Sequence, residues 1–343
     1  MPTVDSDAHV IETEGTWEYM EGAGARYRPV GIKAPDASGA EKEYWLIDGR
    51  LFPRRSNIGK ETSEATREMI DIAGRLKHMD ELEVDLHVLY PTLFLRPVSD
   101  KPDAELALYR GYNRWLGDIW KRGNGRLLWA AMAPVMTMDA ALEELRWAKQ
   151  HGAVAVFMRG VEHERRLSDP YFFPLYEEAS NLNLAIGIHS GNGNFDIHDF
   201  YADEVGFAKF KLAVLGGFHS LLMSEVPKRF PKLRIGIIEI SAQWVPYALH
   251  DLAARMKRVG KPFDMFSALR ENRVWVACQT DDDLPYVLKY AGEDNIVIGS
   301  DYGHADTSSE LEALRNLRHG GEVPGAVIDK ILDANARVLY GLN

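Results

Sequence analysis

The chain has 343 residues but only one cysteine, Cys278, so it cannot form an internal disulfide bond. It contains no uninterrupted apolar run of about 18 residues, the length that a membrane-spanning helix requires. Residues 1–10 lack the basic stretch followed by an apolar run that is typical of a secretory signal. These three absences predict a cytoplasmic protein that does not cross a membrane.

Positive charge is also scarce, because 51 Asp and Glu residues outnumber 40 Lys and Arg residues and leave a formal net charge of -11. Nucleic-acid binding usually requires a basic face that neutralises phosphates, so this composition argues against nucleic acid as a partner. A hydrophobic fraction of 46% in a chain of this length is enough to bury a sizeable core. We therefore expect a small-molecule substrate, and a homodimer or a larger homo-oligomer as the assembly.

Eight short apolar runs, rich in β-branched residues, alternate with segments that have helical spacing. The apolar runs cover residues 3–8, 84–90, 127–133, 153–158, 184–188, 234–238, 274–277 and 295–299. The helical candidates cover residues 66–82, 103–122, 138–151, 171–181, 207–228, 241–258, 282–291 and 309–318. Eight such repeats predict one (β/α)8 barrel domain over residues 1–343, closed by a helix at 326–339. A doubly wound open sheet is the alternative.

Residues 13–65 interrupt this pattern between the first and second runs. A βα connection normally has only a few residues, so this segment is predicted to be an insertion in the barrel. It is rich in aromatic and arginine residues: Trp17, Tyr19, Arg26, Tyr27, Arg28, Tyr44, Trp45, Arg50, Phe52, Arg54 and Arg55. Such a mixture predicts a lid over the site or a subunit contact, and a surface segment packed on the barrel is the alternative.

Potential metal ligands stand where four of the apolar runs end, the position at which α/β barrels carry their sites. Asp7 and His9 lie two positions apart on the first run and so point to the same face of a strand. His189, Glu239 and Asp301 follow the fifth, sixth and eighth runs. Each alone also fits a structural role, such as a turn cap or a hydrogen-bonded buried histidine. Together they predict a divalent cation, because burying these groups unpaired would cost several kcal/mol per charge.

Four further residues near the strand ends are candidates for contact with substrate. Arg159 ends the fourth run and is suited to hold a substrate carboxylate through two parallel hydrogen bonds, whereas a structural ion pair is the alternative. His304 is a candidate for donating a proton to substrate or for orienting the neighbouring aspartate. His198 and His219 lie in the long segment after the fifth run and are candidate substrate contacts. Cys278 is expected to be a buried, inert thiol.

Several motifs resemble those of the amidohydrolase superfamily. They are VDSDAHVIE at 4–12, HSG at 189–191, Glu239 followed by WVPY at 244–247, GSDYGH at 299–304 and NARVLYGL at 335–342. The resemblance is closest to the branch that contains aminocarboxymuconate-semialdehyde decarboxylase and related aromatic decarboxylases and hydrolases. It implies a distorted (β/α)8 barrel, with Asp301 as the catalytic acid or base. The metal ligands that it implies are Asp7, His9, His189 and Asp301.

The sequence departs from this family pattern at two positions. Members commonly have His or Glu where Asp7 stands, and usually a His, often a catalytic one, where Glu239 stands. The fourth run ends at Arg159 without the lysine that, when carbamylated, bridges two metals in other branches. A shell with three carboxylates favours manganese or iron, although zinc also fits. We expect one ion, with a second ion bound through Glu239 as the alternative.

Two reactions fit the expected site, and the anionic shell favours hydrolysis, because it would repel a carboxylate substrate unless a cation engaged that group. The expectation is a hydrolase that attacks an amide, ester or lactone of a small carboxylate-bearing or aromatic substrate through a metal-activated water. Asp301 would act as the base, and Glu239 would touch the metal or replace the family histidine in proton transfer. Non-oxidative decarboxylation of a small aromatic or muconate-type acid is the first alternative. A non-haem iron oxygenase and a catalytically silent subunit of a hetero-oligomer are the others.

Overall fold

Eight parallel strands follow one another in chain order around a nearly closed barrel. The computed structural model describes residues 2–36, 38–55 and 57–342. The strands are β1 (Val4–His9), β2 (Leu86–Tyr90), β3 (Leu127–Met132), β4 (Ala153–Met158), β5 (Ala185–His189), β6 (Ile235–Ile238), β7 (Val274–Cys278) and β8 (Ile296–Ile298). Each coincides with one of the predicted apolar runs, so the predicted (β/α)8 barrel is confirmed.

The barrel strands are almost completely buried, which explains why they consist largely of Val, Ile, Leu and Ala. A parallel strand in a barrel is covered by helices outside and by other side chains inside, so both of its faces favour apolar residues. Strand β1 is the exception, because its fully buried sequence VDSDAH contains two aspartates and a histidine. Polar groups at this depth require partners, and they indicate a special role for β1.

The barrel closes where β1 meets the residues that follow β8. The backbone N–H of Asp301 donates to the carbonyl oxygen of Asp7 at 2.8 Å, and that of His9 donates to Tyr302 at 2.9 Å. Gly299 permits this close approach, since a Cβ atom at that position would lie 2.1 Å from the Cβ of Asp7. The closure therefore brings two of the predicted metal ligands side by side.

Eight helices cover the barrel and each overlaps a predicted one, although the helix predicted at 66–82 begins only at residue 72 and the one predicted at 309–318 only at residue 313. They are α1 (Ile72–Glu81), α2 (Pro102–Arg122), α3 (Met138–Gln150), α4 (Phe173–Asn181), α5 (Leu212–Met223), α6 (Val245–Arg258), α7 (Leu284–Ala291) and α8 (Ala313–His319). Helix α6 begins four residues later than predicted, because Glu239 and Ser241 both have positive φ values and Pro246 occupies the first turn. The predicted segment 207–228 is divided into a π-helical turn at Phe207–Lys211, α5 and a short helix at Val226–Arg229.

Short elements complete the described part of the chain. The closing segment is helical from Gly325–Asp329 through a π-helical stretch at Lys330–Ala334 to Asn335–Tyr340. Between the barrel elements lie 3-10 turns at Leu93–Leu95 and Pro170–Phe172, a hairpin of Val161–Glu162 with Arg165–Arg166, and helices at Phe195–Phe200 and Ala268–Asn272. None of the helices described combines the length and the apolar character needed to cross a membrane. Cys278 is buried and free, as expected.

The predicted insertion at 13–65 carries its own small antiparallel sheet of Val30–Pro35, Glu41–Ile47 and Arg50–Pro53. Helices at Glu14–Trp17 and Glu64–Arg67 and a 3-10 helix at Gly22–Tyr27 flank the sheet. The N–H of Gly59 donates to the carbonyl of Gly303 at 2.9 Å, and the Arg50 guanidinium lies 3.9 Å from the centre of the Phe195 ring. The insertion therefore contacts the loops after β8 and β5, and its role as a lid or a subunit contact stays a prediction.

Candidate metal centre

The five predicted metal ligands lie together at the carboxyl end of the barrel and are all buried. We call Asp7, His9, His189, Glu239 and Asp301 the ligand cluster. The Nε2 atom of His189 lies 3.1 Å from Asp7 Oδ1 and 3.1 Å from Glu239 Oε2. The Nε2 atom of His9 lies 3.3 Å from Asp301 Oδ1 and 3.4 Å from Asp7 Oδ1. The carboxyl ends of four strands that are distant in sequence thus bring five potential ligand residues into one buried cluster.

Both histidines of the ligand cluster are oriented by backbone carbonyl groups. The Nδ1 atom of His9 lies 3.1 Å from the carbonyl oxygen of Pro91, and the Nδ1 atom of His189 lies 3.1 Å from that of Ser190. A proton held at Nδ1 leaves Nε2 with its lone pair directed into the cluster. This is the arrangement in which metal-binding histidines are usually held.

The polar atoms at the centre of the ligand cluster lack other partners. His9 Nε2, Glu239 Oε2 and Asp301 Oδ1 are buried and make no hydrogen bond among the described residues. Two overlapping sets of four residues, which share His9 and Glu239, have ligand atoms within 4.8 Å of one another. Because buried polar atoms are rarely left unsatisfied, the residues present fit a divalent cation. The ligand types fit manganese, iron or zinc.

The pKa directions in the ligand cluster show how strongly its charges interact. Burial alone would raise the pKa of Asp7, but His189 and His9 outweigh burial and hold that pKa below its usual range. Burial raises the pKa of Glu239 well above its ordinary value, because the attraction of His189 is opposed by Asp301 and Asp7. Burial also raises the pKa of Asp301, against the attraction of His304 and His9. Without a cation, the three carboxylates therefore cannot all remain ionised at low cost.

Two of the carboxylate residues have an unusual backbone conformation, with a positive φ angle. Glu239 has a φ of 64° and Asp301 a φ of 53°, the left-handed region that residues with a side chain rarely adopt. Each such residue costs on the order of 1 kcal/mol or more, and strain of this kind concentrates at functional sites. Glu239 directly follows strand β6, and Asp301 lies three residues beyond the end of strand β8. The strain is consistent with a functional demand on both carboxylates.

His304 forms a second layer against the ligand cluster. Its Nδ1 atom lies 2.8 Å from Asp301 Oδ1, and its ring stacks on the His9 ring with centroids 3.9 Å apart. Its Nε2 atom lies 2.9 Å from Thr92 Oγ1, which itself donates to the carbonyl oxygen of Val10 at 2.8 Å. The Thr92 hydroxyl has one proton, which it donates to the carbonyl of Val10, so it can only accept a hydrogen bond from His304. The Nε2 atom of His304 is therefore the donor to Thr92, and its Nδ1 atom faces Asp301. His304 therefore lies beside Asp301, as the sequence predicted.

Arg159 is not placed to hold a substrate carboxylate, and the ion pair considered as its alternative is present. Its guanidinium forms a buried ion pair with Glu162, and its Nε lies 3.1 Å from both Glu162 oxygens. Its remaining nitrogens donate to the carbonyl groups of Phe94 and Arg96 and to the Tyr109 hydroxyl. All donors of Arg159 are therefore occupied inside the protein. Arg159 and Glu162 are three residues apart in sequence, and the hairpin after β4 brings their side chains together.

The two histidines after β5 lie in different places. His219 is on the outer surface of α5, where its Nε2 lies 3.0 Å from Asp251 Oδ2 on α6. It is therefore on the outside of the barrel, and its predicted contact with substrate is not supported. His198 is on the short helix after β5, at the carboxyl end of the barrel, with Nδ1 3.4 Å from Asp199 Oδ1. Burial lowers the pKa of His198.

Three residues that support the ligand cluster were not identified from the sequence. Asp5 accepts hydrogen bonds from the backbone N–H groups of Asp7 at 3.1 Å and Ser300 at 3.0 Å, and burial raises its pKa to about 7. Ser309 donates to Asp301 Oδ2 at 2.5 Å. Asp5 had a signal, because it shares the face of β1 with the two predicted ligands. No such indication existed in the sequence for Ser309 and Thr92, since each is placed near the cluster by a loop.

Comparisons with known proteins agree with this architecture. The model of a family described as Amidohydrolase matches residues 4–342. A 2-amino-3-carboxymuconate-6-semialdehyde decarboxylase of Dictyostelium discoideum is 22% identical over 319 residues, which cover 88% of this chain and 82% of the relative.

Solved structures with the same fold include an amidohydrolase from Mycobacterium avium subsp. paratuberculosis K-10, with a TM-score of 0.80, 21% identity and coverage of 100% of this chain and 98% of that one. A 5-carboxyvanillate decarboxylase from Sphingomonas paucimobilis has a TM-score of 0.71 and 17% identity, and the match covers 100% of this chain and 99% of that one. Because the family match extends through the whole barrel and includes every residue of the ligand cluster, this chain belongs to the amidohydrolase family.

Proposed function

We propose that this protein is a metal-dependent enzyme that decarboxylates a small organic acid without oxidation. The observation that carries the proposal is the contact between Asp301 and His304 at the ligand cluster, where a carboxyl group and an imidazole lie 2.8 Å apart. Such a pair can hold a proton beside the reacting atoms and deliver it. The decarboxylase activities named for the Dictyostelium relative and for the Sphingomonas structure support the same reaction class.

The ligand cluster would hold the metal through Asp7, His9, His189 and Glu239, whose ligand atoms lie within 4.8 Å of one another, with Asp301 in the overlapping set that shares His9 and Glu239. When bound, a divalent ion supplies positive charge that orients the oxygen atoms of the substrate and stabilises negative charge as it develops on them. The residues of the chain would perform the proton transfer. In that step the bond between the substrate carbon and its carboxyl group breaks, and the electron pair remains on the carbon. Asp301 delivers a proton to that carbon, and carbon dioxide leaves.

The burial of the ligand cluster supports protonation by a side chain rather than by bulk water. No residue of the cluster is more than 6% exposed, and His304 is equally buried. His304 faces Asp301 through Nδ1 and is held from behind by Thr92, so it is placed to return a proton to Asp301 after each turnover. A closed site also prevents water from competing for the carbanion-like intermediate.

Hydrolysis is the second candidate, favoured by the position of Glu239. Its Oε2 atom lies 3.1 Å from His189 Nε2 and has no hydrogen-bond partner among the described residues. A second carboxylate directed at the cluster is suited to accept the proton of an attacking water. The position of Glu239 therefore supports the reaction expected from the sequence, which is hydrolysis of an amide, ester or lactone.

The two reactions are distinguished by their products. Metal-loaded protein would be incubated with a panel of small aromatic and unsaturated acids labelled with carbon-13 at the carboxyl group, and with a parallel panel of esters, amides and lactones. We expect labelled carbon dioxide from at least one acid, and none with Asp301→Asn. Turnover of the second panel without release of carbon dioxide from the first would contradict the proposal and favour hydrolysis. Oxygen consumption recorded in the same reactions would instead favour the oxygenase.

A further inference from the structure

Arg96 is a partly buried cation at the carboxyl end of the barrel that forms no ion pair within the described part of the chain. It follows the 3-10 turn Leu93–Leu95 at the end of β2. Its Nε atom is buried and makes no hydrogen bond, and its guanidinium forms no ion pair with any described residue. Burial lowers the pKa of Arg96, and the charge of Glu12 offsets this only in part. An arginine in such surroundings normally has a carboxylate or phosphate partner.

Arg96 lies between two segments that also support the ligand cluster. Thr92, four residues before it, contacts His304 at 2.9 Å. The carbonyl of Leu95, directly before it, accepts the N–H of Asn192 at 3.0 Å. Asn192 is three residues after the ligand His189 and is completely buried. These contacts place Arg96 at the carboxyl end of the barrel, between the loops after β2 and β5.

Asn192 supplies a second donor without an acceptor. Its Oδ1 atom accepts the backbone N–H of Asn194 at 2.9 Å, which fixes the orientation of the side-chain amide. Its Nδ2 atom is buried and has no hydrogen-bond partner among the described residues. Two unsatisfied donors, Arg96 Nε and Asn192 Nδ2, thus lie on adjacent segments. A group that accepts hydrogen bonds through two oxygens would satisfy both of them.

Lys209 adds a second positive charge from the π-helical turn before α5. It is only 8% exposed, and its ammonium group donates to the carbonyl of Ala202 at 3.3 Å, its one hydrogen bond within the described chain. The Lys209 ammonium lies 5.9 Å from the centre of the Phe210 ring. Burial lowers the pKa of Lys209, and the positive charge of Arg96 lowers it further. The two cations are therefore close enough to repel each other.

His198 borders the same region. Its ring centre lies 6.5 Å from that of Phe210, the ring that Lys209 also faces. Its pKa is lowered by burial and by the charges of Arg96 and Lys209, whereas its contact with Asp199 has the opposite effect. Asp199 is mostly exposed and also lies 3.7 Å from Arg50. Burial and Arg96 lower the pKa of Lys209, and the carboxylates of Glu204, Asp203 and Asp199 partly offset these effects.

Glu12, the buried carboxyl that faces this group, is already engaged. Its two oxygens accept the backbone N–H groups of Thr92 at 3.1 Å and Leu93 at 2.9 Å. It makes no ion pair with Arg96. Arg96 Nε is thus left without a hydrogen bond among the described residues, on a loop that flanks a ligand cluster with three carboxylates. Buried donors in proteins are rarely left unsatisfied, and a bound ligand is one way to satisfy them.

We propose that Arg96, Asn192 and Lys209 bind a carboxylate group of the substrate, separate from the carboxyl group that reacts at the ligand cluster, with His198 lining the same position. The inference rests on the proposed function, because it names a substrate with two carboxylates for that site. The planar Arg96 guanidinium would pair with both oxygens of the group, as arginine does with carboxylates elsewhere. The role that the sequence suggested for Arg159 is thereby assigned to Arg96.

The test measures binding of isophthalate, an aromatic acid with two carboxylates, to the metal-loaded protein by calorimetry. We expect Arg96→Gln to weaken binding by about 10- to 100-fold, because a charged hydrogen-bond pair is lost. Lys209→Gln should also weaken binding. Arg165→Gln, which removes the same charge from a half-exposed arginine, serves as the matched control and should bind isophthalate like the unaltered protein. Metal content should be equal in all four proteins, because Arg96 and Lys209 are not ligands.

Three outcomes would overturn the inference. One is unchanged isophthalate affinity in both Arg96→Gln and Lys209→Gln; if Arg96→Gln does not fold, Lys209→Gln decides alone. The second is the absence of any binding by the unaltered protein. The third is an effect of these variants on binding of inorganic phosphate but not of isophthalate, which would assign the position to a phosphate group. Weaker isophthalate binding in the variants without carbon dioxide release from any acid would support this inference and contradict the decarboxylase.

Discussion

At the scale of single residues, Asp301 makes contacts both across the barrel closure and within the ligand cluster. It has a left-handed backbone, it donates its N–H to Asp7 across the barrel closure, and it faces both His9 and His304. Ser309 donates to its second oxygen. The backbone of Asp301 is therefore held by its hydrogen bond to Asp7, and one carboxylate oxygen is held by Ser309 while the other faces the ligand cluster. The oxygen that contacts Ser309 fixes the orientation of the carboxylate, and the other oxygen is available for the proposed chemistry.

Asp301→Asn tests that chemistry. The amide keeps an oxygen that can face the metal but cannot accept or deliver the proton. Losing a general acid or base typically lowers the rate by 10²- to 10⁴-fold, so kcat should fall by about that factor. Metal content by elemental analysis should remain close to that of the unaltered protein. An unchanged kcat would show that the proton transfer uses another group.

Glu239→Gln tests whether the sixth-strand carboxylate is part of the site. The substitution removes one of three negative charges around the ion and keeps the shape of the side chain. We expect weaker metal binding, measured by competition with a chelator, together with a lower kcat. Both quantities remaining at the unaltered level would mean that Glu239 has a structural role only. Glu271→Gln, at the outer surface, is a suitable control.

Glu12→Gln should change the pH dependence of stability. Burial raises the pKa of Glu12 from 4.5 to about 7, opposed by hydrogen bonds from Leu93 and Thr92. Between these two pH values the folded state holds the proton more tightly than the unfolded chain. The free energy of unfolding therefore decreases as pH rises from 4.5 to 7, by up to about 3 kcal/mol from this group.

Glutamine cannot ionise, so Glu12→Gln should lack this decrease. The variant should gain stability relative to the unaltered protein as pH rises from 5 to 8. Urea unfolding at several pH values measures the difference directly. A difference in unfolding free energy that is the same at pH 5 and pH 8 would contradict the assigned shift.

At the scale of elements, the contact between β1 and the end of β8 decides whether the site exists. Strand β1 carries two predicted ligands, and the residues after β8 carry a third. Backbone hydrogen bonds and the Asp5 carboxylate join the two segments. The geometry of the ligand cluster thus depends on how closely these elements approach, which is set by the small size of Gly299.

Gly299→Ala should force the two elements apart. The added Cβ would meet the Asp7 Cβ at 2.1 Å, and overpacking of a buried contact typically costs about 1 to 3 kcal/mol. We expect lower thermal stability and reduced metal occupancy. Gly216→Ala is the matched control, because its Cβ would meet no atom within 4 Å on an exposed position of α5, and alanine favours helix there. Equal metal occupancy in both variants would contradict the role of Gly299.

At the scale of the whole molecule, the bound cation should stabilise the folded barrel. A ligand that binds only the folded state raises the free energy of unfolding by about 2.7 kcal/mol when present at 100 times its Kd. Removal of metal by a chelator at pH 7 should therefore lower the Tm, and readdition of manganese, iron or zinc should restore it. The same treatment of His189→Ala should have little effect on Tm. A Tm of the unaltered protein that is insensitive to chelation would contradict a metal in the ligand cluster.

The sequence alone determined the architecture and the ligand types of the site. Burial on both faces makes barrel strands apolar over short runs, so eight such runs were visible without any tertiary information. The candidate ligands were visible for a related reason, because Asp7 and His9 break an apolar run and His189, Glu239 and Asp301 stand at or just after the ends of others. Both signals are local, and the topology of a barrel brings the strand ends together automatically.

Only the tertiary structure decided which arginine at the carboxyl end of the barrel is already paired within the protein. Arg159 was suggested by its place at the end of β4, but the hairpin that follows brings Glu162 onto its guanidinium. Arg96 drew no attention in the sequence, and its Nε makes no hydrogen bond among the described residues, because the oxygens of the neighbouring Glu12 accept the backbone N–H groups of Thr92 and Leu93. The pairing of a charged side chain depends on which distant segments reach it, and this follows from packing rather than from local sequence.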